Sequence, residues 1–94
     1  MNDVQILWDL EDDPDGNVQH IAGNGVTVEE YIDVLSGNYE RASVSRASGR
    51  PITFGWTSTG KHIAVVWDEV QLEDPLIIRP VTAFETPPKK RKRR

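Results

Sequence analysis

Residues 27–37, TVEEYIDVLSG, carry the signal that decides the fold. Val28, Tyr31, Ile32 and Leu35 recur at the i, i+3, i+4, i+7 spacing that lines one face of an α-helix. Thr27 and Glu30 stand three apart in the T-x-x-E capping pattern, in which each side chain satisfies a backbone N–H at the helix start. Ser36 and Gly37 end the pattern. A helix with one apolar face needs a second layer, and the sequence on its C-terminal side supplies one.

From Arg41 onward the period falls to two. A weak strand is expected around Ala42 to Arg46, and a firmer one over Pro51 to Thr57, where Ile52, Phe54 and Trp56 share a face. Ser58-Thr59-Gly60 reads as a tight turn, so the long apolar run Lys61 to Val70 folds back as an antiparallel partner. A looser loop around Glu73, Asp74 and Pro75 leads to a last strand, Leu76 to Phe84. Pro80 lies inside that strand and has no N–H to give a ladder, which predicts an edge position or a bulge. Upstream, Val4 to Trp8 alternates imperfectly as a first strand. Asp13, Pro14 and Asp15 read as the start of a short helix with Val18, Ile21 and Ala22 on its apolar side and Gly23 at its end. The pattern predicts an α+β fold with two short N-terminal helices packed on a mostly antiparallel sheet of four to five strands.

Length and charge bound the rest. Ninety-four residues make one domain, expected over residues 1–86, with a disordered basic tail over 87–94. The formal charge of −4 averages two unlike regions. All 15 acids precede Pro87, whereas six of the eleven cations are Lys89, Lys90, Arg91, Lys92, Arg93 and Arg94, so the body carries −10 and the tail +6. Such a tail attracts phosphate, acidic protein or anionic lipid without sequence preference; the same run also reads as a solubility tail or an expression remnant, and its letters fit a nuclear-import run of the kind that recurs by chance. The absence of cysteine removes disulfides, thiolate zinc sites and cysteine nucleophiles. Met1 to Leu10 has no basic n-region or long apolar run and no stretch is long enough to span a bilayer, so the expectation is a cytoplasmic protein without membrane contact.

Few residues carry candidate chemistry. Glu11, Asp13 and Asp15 before Gly16 echo the start of a calcium loop, but the position that should supply the closing carboxylate is Ala22, and the same acids serve as solvated caps. His20 and His62 are the only imidazoles, too few for a histidine metal site, and no metal or cofactor is expected. His62 adjoins Lys61, a general base beside a phosphate-binding cation, although strand alternation turns their side chains to opposite faces. No serine lies in a nucleophile elbow and no glycine-rich phosphate loop is present. The body cations Arg41, Arg46, Arg50, Lys61 and Arg79 all fall in the strand-rich half. They form either a solvated sheet face or an anion-binding surface on which Trp56 or Trp67 stacks a base. The stripe Ile52, Phe54, Trp56 is of the kind that points into a core.

Four segments occur in a collinear order: Trp8-Asp9, Asn24-Gly25-Val26-Thr27 opening a helix, Gly49-Arg50-Pro51, and Ile78-Arg79-Pro80-Val81-Thr82-Ala83. In this the body resembles the BrnT family of small toxins from bacterial type II toxin–antitoxin pairs. The resemblance implies a RelE-like fold, a small basic DNA-binding antitoxin as partner, and metal-independent endoribonuclease activity. In that reaction an RNA 2′-hydroxyl attacks the adjacent phosphate. Arg79 matches the family pattern; with Lys61 and Arg50 it would stabilise the phosphorane, and His20 or His62 would move the proton. Arg46, Arg50 and Trp56 are the expected RNA contacts. The family commonly has a His-Gly pair before the second helix and an arginine closing the last-strand segment, where this chain has Asn24 and Phe84. Those departures leave open a catalytically inactive module that pairs with a small basic protein, to which an acidic body is suited.

Overall fold

The structure, a computed structural model, describes residues 4–73 and 75–87. Of the tail expected over 87–94, residues 88–94 lie outside that range. The chain runs β1 (Val4–Ile6), α1 (Asn17–Gly23), α2 (Val28–Asn38), a 3₁₀ turn (Tyr39–Arg41), β2 (Ser43–Val44), β3 (Pro51–Trp56), β4 (His62–Gln71) and β5 (Leu76–Glu85). The strands form one mixed sheet in the order β1-β5-β4-β3-β2. The pair β1–β5 is parallel and the other neighbours are antiparallel. The fold is therefore α+β as expected, although the helices follow the first strand rather than opening the chain. No described helix is long and apolar enough to cross a membrane.

The capping box of α2 forms as its sequence demands: Glu30 N donates to Thr27 Oγ1 and Thr27 N donates to Glu30 Oε1. Its buried face is Tyr31, Val34 and Leu35, whereas Ile32 is 37% exposed. These residues meet Ile63, Val65 and Trp67 of β4 and Ile78 and Ala83 of β5 in one core, joined by Ile21 and Val26. Tyr31 reaches through the core, and its hydroxyl donates to Val66 O at 2.8 Å. Burial pushes that phenol far above its ordinary range.

The first helix departs from its sequence reading. Asp13 does not cap it; Asp13 O accepts from Gly16 N and Asp13 Oδ1 from Asp15 N, so residues 11–15 are spent in turns. The helix begins at Asn17, whose N–H is taken by the distant Asp9 carboxylate instead. The irregularity foreseen at Pro80 is a bulge. Val66 pairs with Thr82 but Trp67 pairs with Pro80, leaving Val81 as the extra residue. Inward-facing positions on β5 consequently switch from even (Ile78, Pro80) to odd (Ala83). Pro80 escapes a strand neighbour on its other side because β1 covers only Leu76–Ile78. Beyond that point side chains close the edge of β5: Asn17 Nδ2 donates to Pro80 O and Asn24 Nδ2 to Ala83 O.

The stripe Ile52, Phe54, Trp56 does not point into the core. Thr53 is buried and donates to Asn38 O, and Gly55 lies so close to α2 that a Cβ there would collide with Asn38 Nδ2. The helix thus packs on the small residues of β3, and the aromatics face away, Phe54 46% and Trp56 59% exposed. Trp67 is the core tryptophan.

Candidate functional site

The two helices contribute to the same core, so among the described residues the opposite face of the sheet has no helix over it. Register sets three rows across that face: Trp56 beside His62, Phe54 beside Ala64 beside Phe84, and Ile52 beside Val66 beside Thr82. Beyond them Asp68 pairs with Arg79. His62 stacks on Phe54 with ring centres 6.5 Å apart and meets Trp56 edge-on at 5.0 Å. Its Nδ1 lies 2.8 Å from Thr86 Oγ1.

At the far end of the same face a pocket of about 280 Å³ is lined by His20, Arg50, Asp68 and Arg79 together with the start of α1. Arg79 reaches it because the bulge keeps residue 79 on the open side. Its two terminal nitrogens fork onto Asp9, at 3.2 Å to Oδ1 and 2.9 Å to Oδ2. Asp9 in turn accepts from Asn17 N at 2.7 Å. That backbone donor is the main reason the Asp9 carboxyl is held below its ordinary range; partial burial opposes it and Arg79 assists. Asn17 is the hub of this corner. It is buried, its Oδ1 accepts from Asp9 N, and its Nδ2 donates to Leu7 O and Pro80 O.

Arg50 is held differently. Its Nε donates to Asp68 Oδ1 at 2.6 Å, and among the described residues its two terminal nitrogens have no partner. His20, exposed on α1, has Nε2 2.9 Å from Thr82 Oγ1. The pocket therefore offers one free guanidinium end, one clamped guanidinium and one imidazole, with each arginine facing an aspartate.

The other expected site residues divide. His62 and Trp56 share the open face with the pocket but stand at the opposite end of β4 and β3. Arg46 lies exposed in the turn joining β2 to β3, at the outer edge of the sheet. Lys61 is on the helix side: its Nζ donates to Gly25 O at 2.7 Å and pairs with Glu30 at 3.3 Å. Lys61 and His62 are thus separated by the sheet, as alternation implies, and Lys61 has no place beside Arg79. Sequence reasoning missed Asp9 and Asp68 as the partners of the two arginines, and Asn17 as their organiser. No group of three or more His, Asp or Glu among the described residues is arranged to hold a metal ion. Comparison with protein families, with curated proteins and with solved structures finds no match for this chain.

Proposed function

We propose that this chain is a divergent BrnT-like, RelE-like toxin component that handles RNA on the open face of its sheet. The observation that carries the reading is the meeting of Arg50, Arg79 and His20, from three separate parts of the chain, in one pocket on the face that also exposes Phe54 and Trp56. The pocket suits phosphodiester cleavage without a metal. The RNA 2′-oxygen attacks the adjacent phosphorus, the bond to the 5′-oxygen breaks, and a cyclic phosphate remains. Arg50, with its terminal nitrogens free, stabilises charge on the phosphorane, and His20 moves the proton. Arg79, whose fork is taken by Asp9, holds the pocket wall.

The test is cleavage of labelled RNA, with and without ribosomes, by the native chain, Arg50→Ala, His20→Ala and a form ending at Thr86. Arg50→Ala should lower the rate by about 10²–10³-fold, the usual effect of deleting one transition-state donor. Retained activity in that variant would remove Arg50 from the mechanism.

A second reading has its own support. Both arginines face an aspartate and the body carries −10, which favours a cationic protein over RNA. On this reading the chain is a catalytically inactive module that pairs with a small basic DNA-binding protein. No cleavage in any form, with tight and salt-sensitive binding of such a protein, is its signature.

A further inference from the structure

On the helix side, away from the open face, a groove of about 650 Å³ runs between α1 and α2. Val18, Val26 and Val28 line it, and Glu11, Asp12 and Glu29 stand on its rim. The three carboxylates are exposed, and among the described residues none has a salt-bridge partner. An apolar floor with a rim whose charged residues are all acidic fits a segment that carries several cations on aliphatic stems, since lysine and arginine lay their methylenes on apolar surface while the heads meet carboxylates.

This chain contains such a segment, Lys89–Arg94, and β5 ends near the groove. The helix α1 runs alongside β5 in the same direction: Asn17 bonds Pro80, His20 bonds Thr82 and Asn24 bonds Ala83. Both elements therefore finish at the same end of the molecule, where Gly25 lines the groove. Thr86 N donates to His62 O, and Lys61, the residue before it, donates to Gly25 O. Eight residues of chain can span at most about 26 Å at roughly 3.3 Å per residue, enough to follow the groove from that end. We propose that the basic segment Lys89–Arg94 docks, within the same chain, in the acid-rimmed groove between α1 and α2. Tethering sets an effective concentration on the order of millimolar, so individually weak surface ion pairs suffice. Docked, the segment is withheld from polyanions, and an RNA or an acidic protein competes with the groove for it.

The sequence has no cysteine, so Arg94→Cys gives a single site for a nitroxide spin label. With isotope-labelled protein at about 20 mM salt, the backbone amide signals of Val18, Ala22, Val26 and Val28 should be selectively broadened. The broadening should vanish at about 1 M salt, where the screening length falls to about 3 Å. It should also vanish in the variant Glu11→Gln, Asp12→Asn, Glu29→Gln, which changes only exposed side chains and whose dispersed spectrum confirms folding. Broadening centred on Phe54 and Trp56, broadening spread evenly over the surface, or persistence in the neutralised variant overturns the proposal. So does broadening that appears only when spin label and isotope are on different copies, because the occupant would then be a second molecule.

Discussion

Replacing Asn17 with alanine tests the corner on which the candidate site is built. The side chain makes three hydrogen bonds, to Asp9 N, Leu7 O and Pro80 O, and the residue is only 4% exposed. Each such bond contributes about 1 kcal/mol net, and a buried acceptor left bare costs about 1–3 kcal/mol, so the loss should be roughly 2–4 kcal/mol. A domain of this size has a total stability of about 4–13 kcal/mol, so the substitution should take a large share of it. The thermal midpoint should fall by roughly 10–25 °C. Urea and thermal unfolding followed by tryptophan fluorescence measure both quantities. Asn17→Asp keeps the acceptor, loses both donors and places a second carboxylate beside Asp9, so it should be worse than alanine. If Asn17→Ala cost less than about 0.5 kcal/mol, or Asn17→Asp were better tolerated, the idea that this amide fastens β1, α1 and β5 together would be wrong.

Three further outcomes follow from individual contacts. Tyr31→Phe removes the hydroxyl that serves Val66 O, and should cost about 1–2 kcal/mol in urea unfolding with no change in fold. Stability should decline as pH falls below about 4.3, the ordinary glutamate value. Burial tends to raise the Glu30 carboxyl, but bonds from Thr59, Thr27 N–H and Lys61 outweigh it and hold the folded value low. Its contribution is therefore complete above the unfolded value and disappears as pH drops through the folded one, and Glu30→Gln should flatten that part of the urea-midpoint curve. Trp56→Ala, at an exposed position, should change stability by less than about 0.5 kcal/mol yet weaken single-stranded RNA binding by about 1–3 kcal/mol in a fluorescence titration.

Local chemistry made much of this architecture readable. The Thr27–Glu30 box, the turn at Ser58–Gly60, the β3–β4 pairing and the irregularity at Pro80 each follow from a few neighbouring residues, and each is present. What was hidden depends on residues far apart in the chain. Nothing near Ile52, Phe54 and Trp56 says which side of β3 the helix takes; that is decided by the fit of Gly55 under Val34 and Asn38. On α2, Val28, Tyr31 and Leu35 lie on the core side as their spacing implies, but Val34 rather than Ile32 completes that face, because Val34 packs at the Gly55 crossing. The start of α1 was misplaced because a distant acid, Asp9, caps Asn17, and sequence signals for caps are local. The alternation that parts Lys61 from His62 was legible. The meeting of His20, Arg50 and Arg79 was implied only by the family resemblance and not by local pattern, because it requires the parity switch at Val81.

The charge arrangement makes the RNA reading sharply testable through salt. On the open face each arginine faces an aspartate, so among the described residues only Arg50, whose terminal nitrogens have no partner there, is placed to take a phosphate at little cost. Binding there must draw on base stacking over Phe54 and Trp56, which salt barely affects. Affinity for single-stranded RNA should then fall with a log–log salt slope of about −0.7 to −1.4, one or two phosphates, when the chain ends at Thr86. The full chain adds six tail cations and should show a slope steeper by up to about 4. At low salt the groove between α1 and α2 competes for those same cations, so the extra slope of the full chain should become shallower there. A steep slope in the shortened form would mean that the body holds more phosphate contacts than Arg50 provides. No binding by the shortened form would mean that RNA is held by the tail alone, and the open face would then pass to the protein-partner reading.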